Sequence, residues 1–269
     1  MMENVISLKN VWLRYDSHRD WTLREINLTI YEGEWITIVG GNGSGKSTLV
    51  RLINGLLQPT LGEVTVCGKI TCDPQHLRNI RQIVGMVFQN AENQIVGMTV
   101  QEDTAFGLYN IGISPEQADS RCRSVLQMLE LYERKDHPPH FLSGGEKQKL
   151  AIAGVLAMEP KVIIFDESTS MLDPKSAQQI YEIISELHRN RFTIVQVTND
   201  VEEIFTANRL VVMQKGTIRY DGTPKEAAGH SAVFTDSGIL PPFSVRMRDI
   251  AAQKGLHLST TSELGLADQ

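Results

Sequence analysis

The sequence predicts an α/β fold: a parallel sheet covered by helices, with an antiparallel β portion at the front and a helical insert in the middle. Three observations carry this prediction. The first thirty residues alternate apolar and polar positions, as in Ile6-Ser7-Leu8 and Ile26-Asn27-Leu28-Thr29-Ile30, the period of half-buried antiparallel strands. Val162-Ile163-Ile164-Phe165 is apolar throughout, as expected of a parallel strand buried on both faces. In the second half strand-like and helix-like segments take turns, which implies crossover connections in a parallel sheet.

Taken in order, Trp35-Ile36-Thr37-Ile38-Val39 is a short β-rich run that ends in glycines, and Ser47 to Leu57 continues with apolar residues at helical spacing. This reads as strand, glycine loop, helix. Residues 61–88 return to strand-like segments. Residues 100–158 place Phe106, Leu108, Val125, Leu126, Leu129 and Ile152 in helix-compatible patterns broken by Pro115 and Pro138-Pro139, so this block is a helical insertion. After the apolar strand, Asp173 can cap a helix with Pro174 in its first turn, and Ile180, Ile183, Ile184 and Leu187 recur at i, i+3, i+4, i+7. Thr193 to Val197 is the next strand, followed by a short helix and the hairpin-like pair Leu210 to Met213 and Thr217 to Tyr220. From about residue 236, Leu240-Pro241-Pro242-Phe243 and a helix-like stretch from Val245 to Lys254 form a small appendage that ends in a polar tail.

At 269 residues the chain can form one large domain with an appendage. A net charge of -6 argues against coating nucleic acid or anionic lipid, so no nucleic-acid partner is expected. Three cysteines with no CxxC pair fit a reducing compartment and no N/S metal site. No stretch approaches the roughly 18 apolar residues of a membrane span, and the start lacks a signal-peptide layout. The expectation is a soluble, cytoplasmic chain; if it serves transport, other polypeptides form the pore.

Chemistry concentrates in three segments. Gly40-Gly41-Asn42-Gly43-Ser44-Gly45-Lys46-Ser47 matches GxxxxGK(S/T) and lies between a predicted strand and helix. Its glycines let backbone N–H groups turn toward a phosphate, the helix N-terminus adds positive potential, Lys46 can reach the β and γ phosphates, and Ser47 can offer its hydroxyl to Mg²⁺. Asp166 and Glu167 close the apolar strand at the edge where open α/β sheets bind ligands. Asp166 suits the water shell of Mg²⁺ and Glu167 the polarisation of an attacking water; without the phosphate loop the pair could be a solvated strand end. In Leu142-Ser143-Gly144-Gly145-Glu146-Lys147-Gln148, Ser143 and Glu146 read as a capping box, which does not explain the two glycines. Their use is close approach of bare N–H groups to an anion.

Phosphate loop, LSGGEKQ, VIIFDE and Ser170-Met171-Leu172-Asp173 occur in this order, and over about residues 5–225 the chain resembles the ABC ATPase family. The resemblance implies a P-loop NTPase fold of ABC type: a RecA-like parallel core, an antiparallel β subdomain and a helical subdomain at about 95–158. Residues 1–235 would form the ATPase domain and 236–269 a dimerisation appendage and tail. It implies ATP and Mg²⁺ as cofactors and two such domains docked head to tail, with Ser143 and Gly145 serving the partner's nucleotide. Gly40, Asn42, Gly43, Gly45, Lys46, Ser47, Thr48 and Asp166 would bind this chain's own nucleotide. Tyr15, taken alone a core or hairpin tyrosine, falls where the family stacks a ring on adenine. Gln89 matches the glutamine that contacts Mg²⁺ and the water, so Ser47 and Gln89 would be the metal contacts, and Glu167 and Gln89 catalytic.

One position departs from the family. Where it places a histidine on the γ phosphate, the chain reads Thr198-Asn199-Asp200; Asn199 can donate an amide hydrogen bond but cannot become cationic or relay a proton. The site on this chain's phosphate loop is therefore expected to bind ATP well and hydrolyse it slowly, unless the amide is an adequate sensor.

Phe88-Gln89-Asn90-Ala91-Glu92-Asn93-Gln94 is similar to the FQNPDNQ segment, and Ser168 to Pro174 to the ATSMLDP segment, of energy-coupling factor (ECF) vitamin and metal importers. The appendage is similar to their dimerisation region. This resemblance implies a peripheral subunit at the cytoplasmic face of the cell membrane. Its partners would be a second ABC ATPase, by preference a paralogue in a heterodimer, a transmembrane T component and a substrate-binding S component. T-component arginines would press into a groove beside Gln89, with Glu92 as the acidic contact. The ATPase of another ABC transporter class, or a soluble ABC ATPase outside transport, is the alternative.

Overall fold

Two sheets, one antiparallel and one mostly parallel, carry the chain. The structure is a computed structural model that describes residues 3–18 and 20–254; the polar tail expected beyond them lies outside the described residues. Strands β1 (Asn4–Leu13) and β2 (Leu23–Tyr31) pair antiparallel, and β3 (Trp35–Gly40) leads into α1 (Lys46–Ile53). Strands β4 (Leu61–Val66) and β5 (Lys69–Ile70) complete a four-stranded sheet of order β2-β1-β4-β5.

Next comes α2 (Pro74–Ile83), a helix where strand-like character was expected. The apolar residues of 61–88 were read as strand, but Asp73 accepts from the Gln75 N–H and Pro74 occupies the first turn, a start signal present in the sequence. Then follow β6 (Val84–Val87), α3 (Val100–Asn110), α4 (Pro115–Met128) and α5 (Gly144–Leu156), so the block between β6 and the next strand is helical as expected. Pro115 does not merely break this block; it opens α4, with Ser114 as its cap. The chain continues through β7 (Val162–Asp166), α6 (Pro174–Arg189), β8 (Thr193–Val197), β9 (Arg209–Gln214) and β10 (Thr217–Gly222). Helices α7 (Pro224–Gly229), α8 (Ala232–Thr235) and α9 (Phe243–Gln253) end the described chain.

The larger sheet has the order β10-β9-β3-β8-β7-β6, parallel except for the β9–β10 hairpin. Its central strands alternate between two cores. Ile36, Ile38, Ile164 and Val195 face a cluster shared with β1, β2, β4 and α1, whereas Ile163, Phe165 and Ile194 face one shared with α5 and α6. Burial on both faces is why these strands read as continuous apolar runs. Phe165 is fully buried, and truncation to alanine would cost about 3–5 kcal/mol. Arg209 ties the sheets together: it forks onto Asp221 of β10, contacts Glu34, and donates to the Thr29 carbonyl of β2. Phe234 and Ile239 pack with Val39, Val201 and Ile204, so the C-terminal segment rests on the strand that carries the phosphate loop. Among the described residues no helix is long and apolar enough to cross a membrane.

Candidate active site

Strand β3 ends at Gly40, and the chain turns through Gly41 to Gly45 into α1. Gly45 has a φ of 103°, and a Cβ there would lie 2.7 Å from Leu23 Cδ2, so conformation and space both demand glycine. No side chain caps this helix start. Its first N–H groups therefore have no partner within the helix, beside a cavity of about 180 Å³ lined by Asn42 to Thr48 and Glu167. Lys46 is buried and its Nζ donates to the carbonyls of Gly40 at 2.8 Å and Gly41 at 3.4 Å. Burial pulls its pKa down, against the carboxylates of Glu167 and Asp166.

The carboxylates emerge from β7, the neighbour of β8 and second neighbour of β3. Ser47 Oγ donates to Asp166 Oδ1 at 2.9 Å, and burial raises the Asp166 pKa against the Ser47 hydrogen bond and the charges of Arg51 and Lys46. Glu167 has a φ of 52°, and its N–H donates to the Val197 carbonyl of β8. Three groups meet its carboxylate: Asn199 Nδ2 at 2.7 Å, Gln89 Nε2 at 3.1 Å and Lys46 Nζ at 3.9 Å. Gln89 also reaches Ser170 Oγ at 3.2 Å, and that hydroxyl donates to the Glu167 carbonyl. Three distant segments thus converge on one carboxylate.

The residues fit magnesium nucleotide. The Ser44 hydroxyl in the cavity wall is buried without a partner, the helix start is uncapped, and a buried lysine has only a carboxylate at 3.9 Å for charge compensation. Each of these is relieved by phosphate oxygens. The described residues contain no group of three or more His, Cys, Asp or Glu able to hold a metal. A divalent ion at Ser47 and Gln89 would complete its shell with phosphate oxygens and water, as Mg²⁺ ordinarily does. Tyr15 is 55% exposed and its hydroxyl shares a hydrogen bond with Thr48 Oγ1 at 3.0 Å, leaving a ring beside the start of α1.

Ser143 and Gly145 are not among the residues lining this cavity. The capping box is present: Ser143 Oγ accepts from the Glu146 N–H, and Glu146 accepts from the Ser143 N–H. Gly145 has a reason beyond anion approach, since a Cβ there would meet Ser176 Oγ of α6 at 2.7 Å, whereas Gly144 is exposed with nothing nearer than 3.8 Å. Ser170 and Ser44 were not singled out from the sequence; both lie inside the motifs, but their hydroxyls' roles depend on the fold.

A second cavity, of about 610 Å³, opens between α2, α3 and α5, with Met86, Phe88, Val96, Phe106 and Met158 in its apolar lining. Its only carboxylate is Asp103, whose Oδ1 accepts from the N–H groups of Val96 and Gly97. Glu92 does not line this groove; it pairs with Lys147 of α5, because the short 3₁₀ turn at Ala91–Asn93 aims it at that helix. Phe88 lines the groove and Gln89, the next residue, holds Glu167.

A model of the ABC transporter family matches residues 23–170. The energy-coupling factor transporter ATP-binding protein EcfA1 of Halalkalibacterium halodurans is 42% identical over 257 residues, spanning 96% of this chain and 92% of that protein. The ATP-binding protein EcfA of Enterococcus faecium is likewise 42% identical, over 95% of this chain and 92% of its own. Among solved structures, cbiO1 from Clostridium perfringens, described as part of the ABC transporter complex cbiONQ, matches with a TM-score of 0.79 at 31% identity. It covers 94% of this chain and 100% of that one. The dimeric ATP-binding cassette MJ0796, in a post-hydrolysis state bound to ADP and Pi, matches with a TM-score of 0.73 at 33% identity over 81% of this chain and 98% of that one.

Proposed function

The chain belongs to the ABC transporter family and is an ATPase, and from that premise we propose that it powers solute uptake as the motor subunit of an ECF-type importer. The observation that carries this reading is the division of the site. The phosphate cavity is walled by Asn42 to Thr48 and Glu167, with Asp166 bonded to Ser47 behind it, while Ser143, at an exposed helix start, is absent from its wall. A second ATPase docked head to tail would bring its own signature to this cavity and receive Ser143 and Gly145 in return.

In the proposed reaction Lys46, the uncapped start of α1 and Ser44 hold the phosphates, and Tyr15 stacks on adenine. Mg²⁺, held by Ser47 with Gln89 and Asp166 behind it, would neutralise phosphate charge. Glu167, oriented by Asn199 and Gln89, would accept a hydrogen bond from the attacking water. Asn199 fixes that carboxylate but carries no charge, so hydrolysis at this loop is slow. The groove around Phe88 and Met158 is the docking site for a transmembrane T component, and an apolar helix surface suits its lining. Binding there would reach Glu167 through the adjacent Gln89.

Exposed apolar residues Leu240, Phe243, Met247 and Ile250 on and before α9 would meet the second ATPase, a paralogue in a heterodimer. A substrate-binding S component would complete the importer at the cytoplasmic face of the membrane. ATP-dependent uptake by vesicles carrying the complex copurified with this chain tests the proposal. Uptake should vanish when ATP is withheld; ATP hydrolysis with no membrane protein in the complex refutes an importer role.

A further inference from the structure

Glu203 stands in the 3₁₀ helix Val201–Thr206, four residues after Asn199, and makes contacts unlike those of a surface carboxylate. Its Oε2 accepts from Gln196 Nε2 at 2.9 Å and its Oε1 from Thr169 Oγ1 at 3.3 Å. Gln196 belongs to β8, three residues before Asn199. Thr169 lies two residues after Glu167. The other end of Gln196 accepts from Trp35 Nε1 at 3.1 Å, and Trp35 opens β3, the strand that ends in the phosphate loop. One carboxyl therefore joins three segments that each deliver a functional residue, without itself lining the nucleotide cavity.

We propose that Glu203 is a positioning residue for ATP hydrolysis, which fixes Asn199 against Glu167 by bracing the two segments from behind. The topology makes this mechanical. Asn199 and Glu167 meet in front at 2.7 Å, and Thr169 and Glu203 meet behind, closing a ring of two short chain segments and two hydrogen bonds. Breaking the rear bond frees the front pair to drift, and a misplacement of about 1 Å can cost on the order of a hundredfold in rate.

The chemistry of the brace is unusual. Among the described residues no cation pairs with Glu203; its partners are the neutral Thr169 and Gln196, and two further acids, Asp200 and Glu202, lie on its own turn. Burial pushes its carboxyl up to about 8 against the Thr169 hydrogen bond. A carboxyl placed where charge is disfavoured costs stability unless its hydrogen bonds serve a purpose. In the neutral form it accepts from Gln196 while Thr169, whose hydroxyl can turn, satisfies the remaining oxygen. Glutamine reproduces that pattern and alanine removes it.

The test compares wild type, Glu203→Ala, Glu203→Gln and Thr169→Val for kcat, KM for ATP and affinity for a non-hydrolysable ATP analogue. Glu203→Ala should lose about tenfold or more in kcat, with KM and analogue affinity within about twofold of wild type. Glu203→Gln, which keeps an acceptor for Gln196 and a polar group against Thr169, should keep kcat within about twofold of wild type. Unchanged kcat in Glu203→Ala, a loss matched by lost analogue binding, or a Gln variant as slow as the Ala variant would each overturn the role. Should Glu203→Ala fail to fold, Thr169→Val decides, since it removes the rear hydrogen bond from its other side: unchanged kcat there overturns the role. The inference rests on the proposed pairing of Asn199 with Glu167. Failure of wild type to bind the analogue refutes that site, whereas intact binding with an indifferent Glu203 refutes only the brace.

Discussion

Replacing Asn199 by histidine tests the division of labour at Glu167, the carboxylate proposed to orient the attacking water. The Asn199 amide donates to Glu167 Oε1 at 2.7 Å, and among the described residues the one cation within 4 Å of that oxygen is Lys46 at 3.9 Å. An imidazolium in the amide's place would add a full positive charge at about 3–4 Å from Glu167 and from phosphate. Coulomb's law gives about 1 kcal/mol for such a pair in water and about 4 kcal/mol at an effective dielectric of 20. Asn199 is exposed, so the lower part of that range applies. Only the fraction expressed in the transition state accelerates hydrolysis, and about 1.4 kcal/mol is already tenfold. Asn199→His should therefore raise kcat of the isolated chain by about tenfold, read in a steady-state phosphate-release assay. Because the gain requires the protonated ring, it should fade relative to wild type as pH rises past about 6.5–7.5. Asn199→Ala loses a hydrogen bond to a charged group, worth about 1.5 kcal/mol at the low end, and should slow the chain further. The reasoning fails if wild type alone already turns over at several per second and both substitutions leave kcat within about twofold.

Gly145→Ala should lower Tm by several degrees in calorimetry while Gly144→Ala does not, since overpacking against Ser176, pinned by its bond to Asp173 at 2.6 Å, costs about 1–3 kcal/mol. Arg209→Ala leaves Asp221 and Glu34 without their cation; with solvent screening of this partly exposed site the loss should be about 2 kcal/mol in urea unfolding. Met247→Asp with Ile250→Asp should weaken self- or partner-association in sedimentation while ATP-analogue affinity is unchanged, because both side chains are exposed on α9. Stability should fall as pH rises, from about 4.5 through about 8: Glu203 is protonated in the folded chain over that window and ionised in the unfolded one. Tm measured across that range should flatten in Glu203→Gln.

The parts of the molecule that were legible in the sequence are those where one physical demand dominates. Val162 to Phe165 had to be a doubly covered strand, Asp173-Pro174 had to start a helix, and the glycines around Ser44 had to form a loop before α1. Helix α2 was missed because its few apolar residues, among them Ile80 as its only buried member, look strand-like in a short window. The loop from Asn42 to Thr48 that walls the proposed nucleotide cavity was legible because its residues are contiguous. The bracing of Glu167 by Asn199, Gln89 and Ser170 was not, since it depends on which strand ends lie side by side. Glu92 misled for the same reason: sequence places it beside Gln89, and only the turn at Ala91–Asn93 decides that it faces Lys147. The second glycine of the signature has a packing role that no spacing argument could reveal, because Ser176 reaches it from another helix.

The left-handed backbone at Glu167 bears on how such a chain would drift under selection. A non-glycine residue at a φ of 52° is held there at a cost of order 1 kcal/mol or more, which glycine or asparagine would relieve. Relief would remove the carboxylate proposed to orient water but leave Lys46, Ser47 and the uncapped helix start intact. A population screened only for heat resistance would therefore be drawn toward variants that grip nucleotide and never release its energy, turning an engine into a latch.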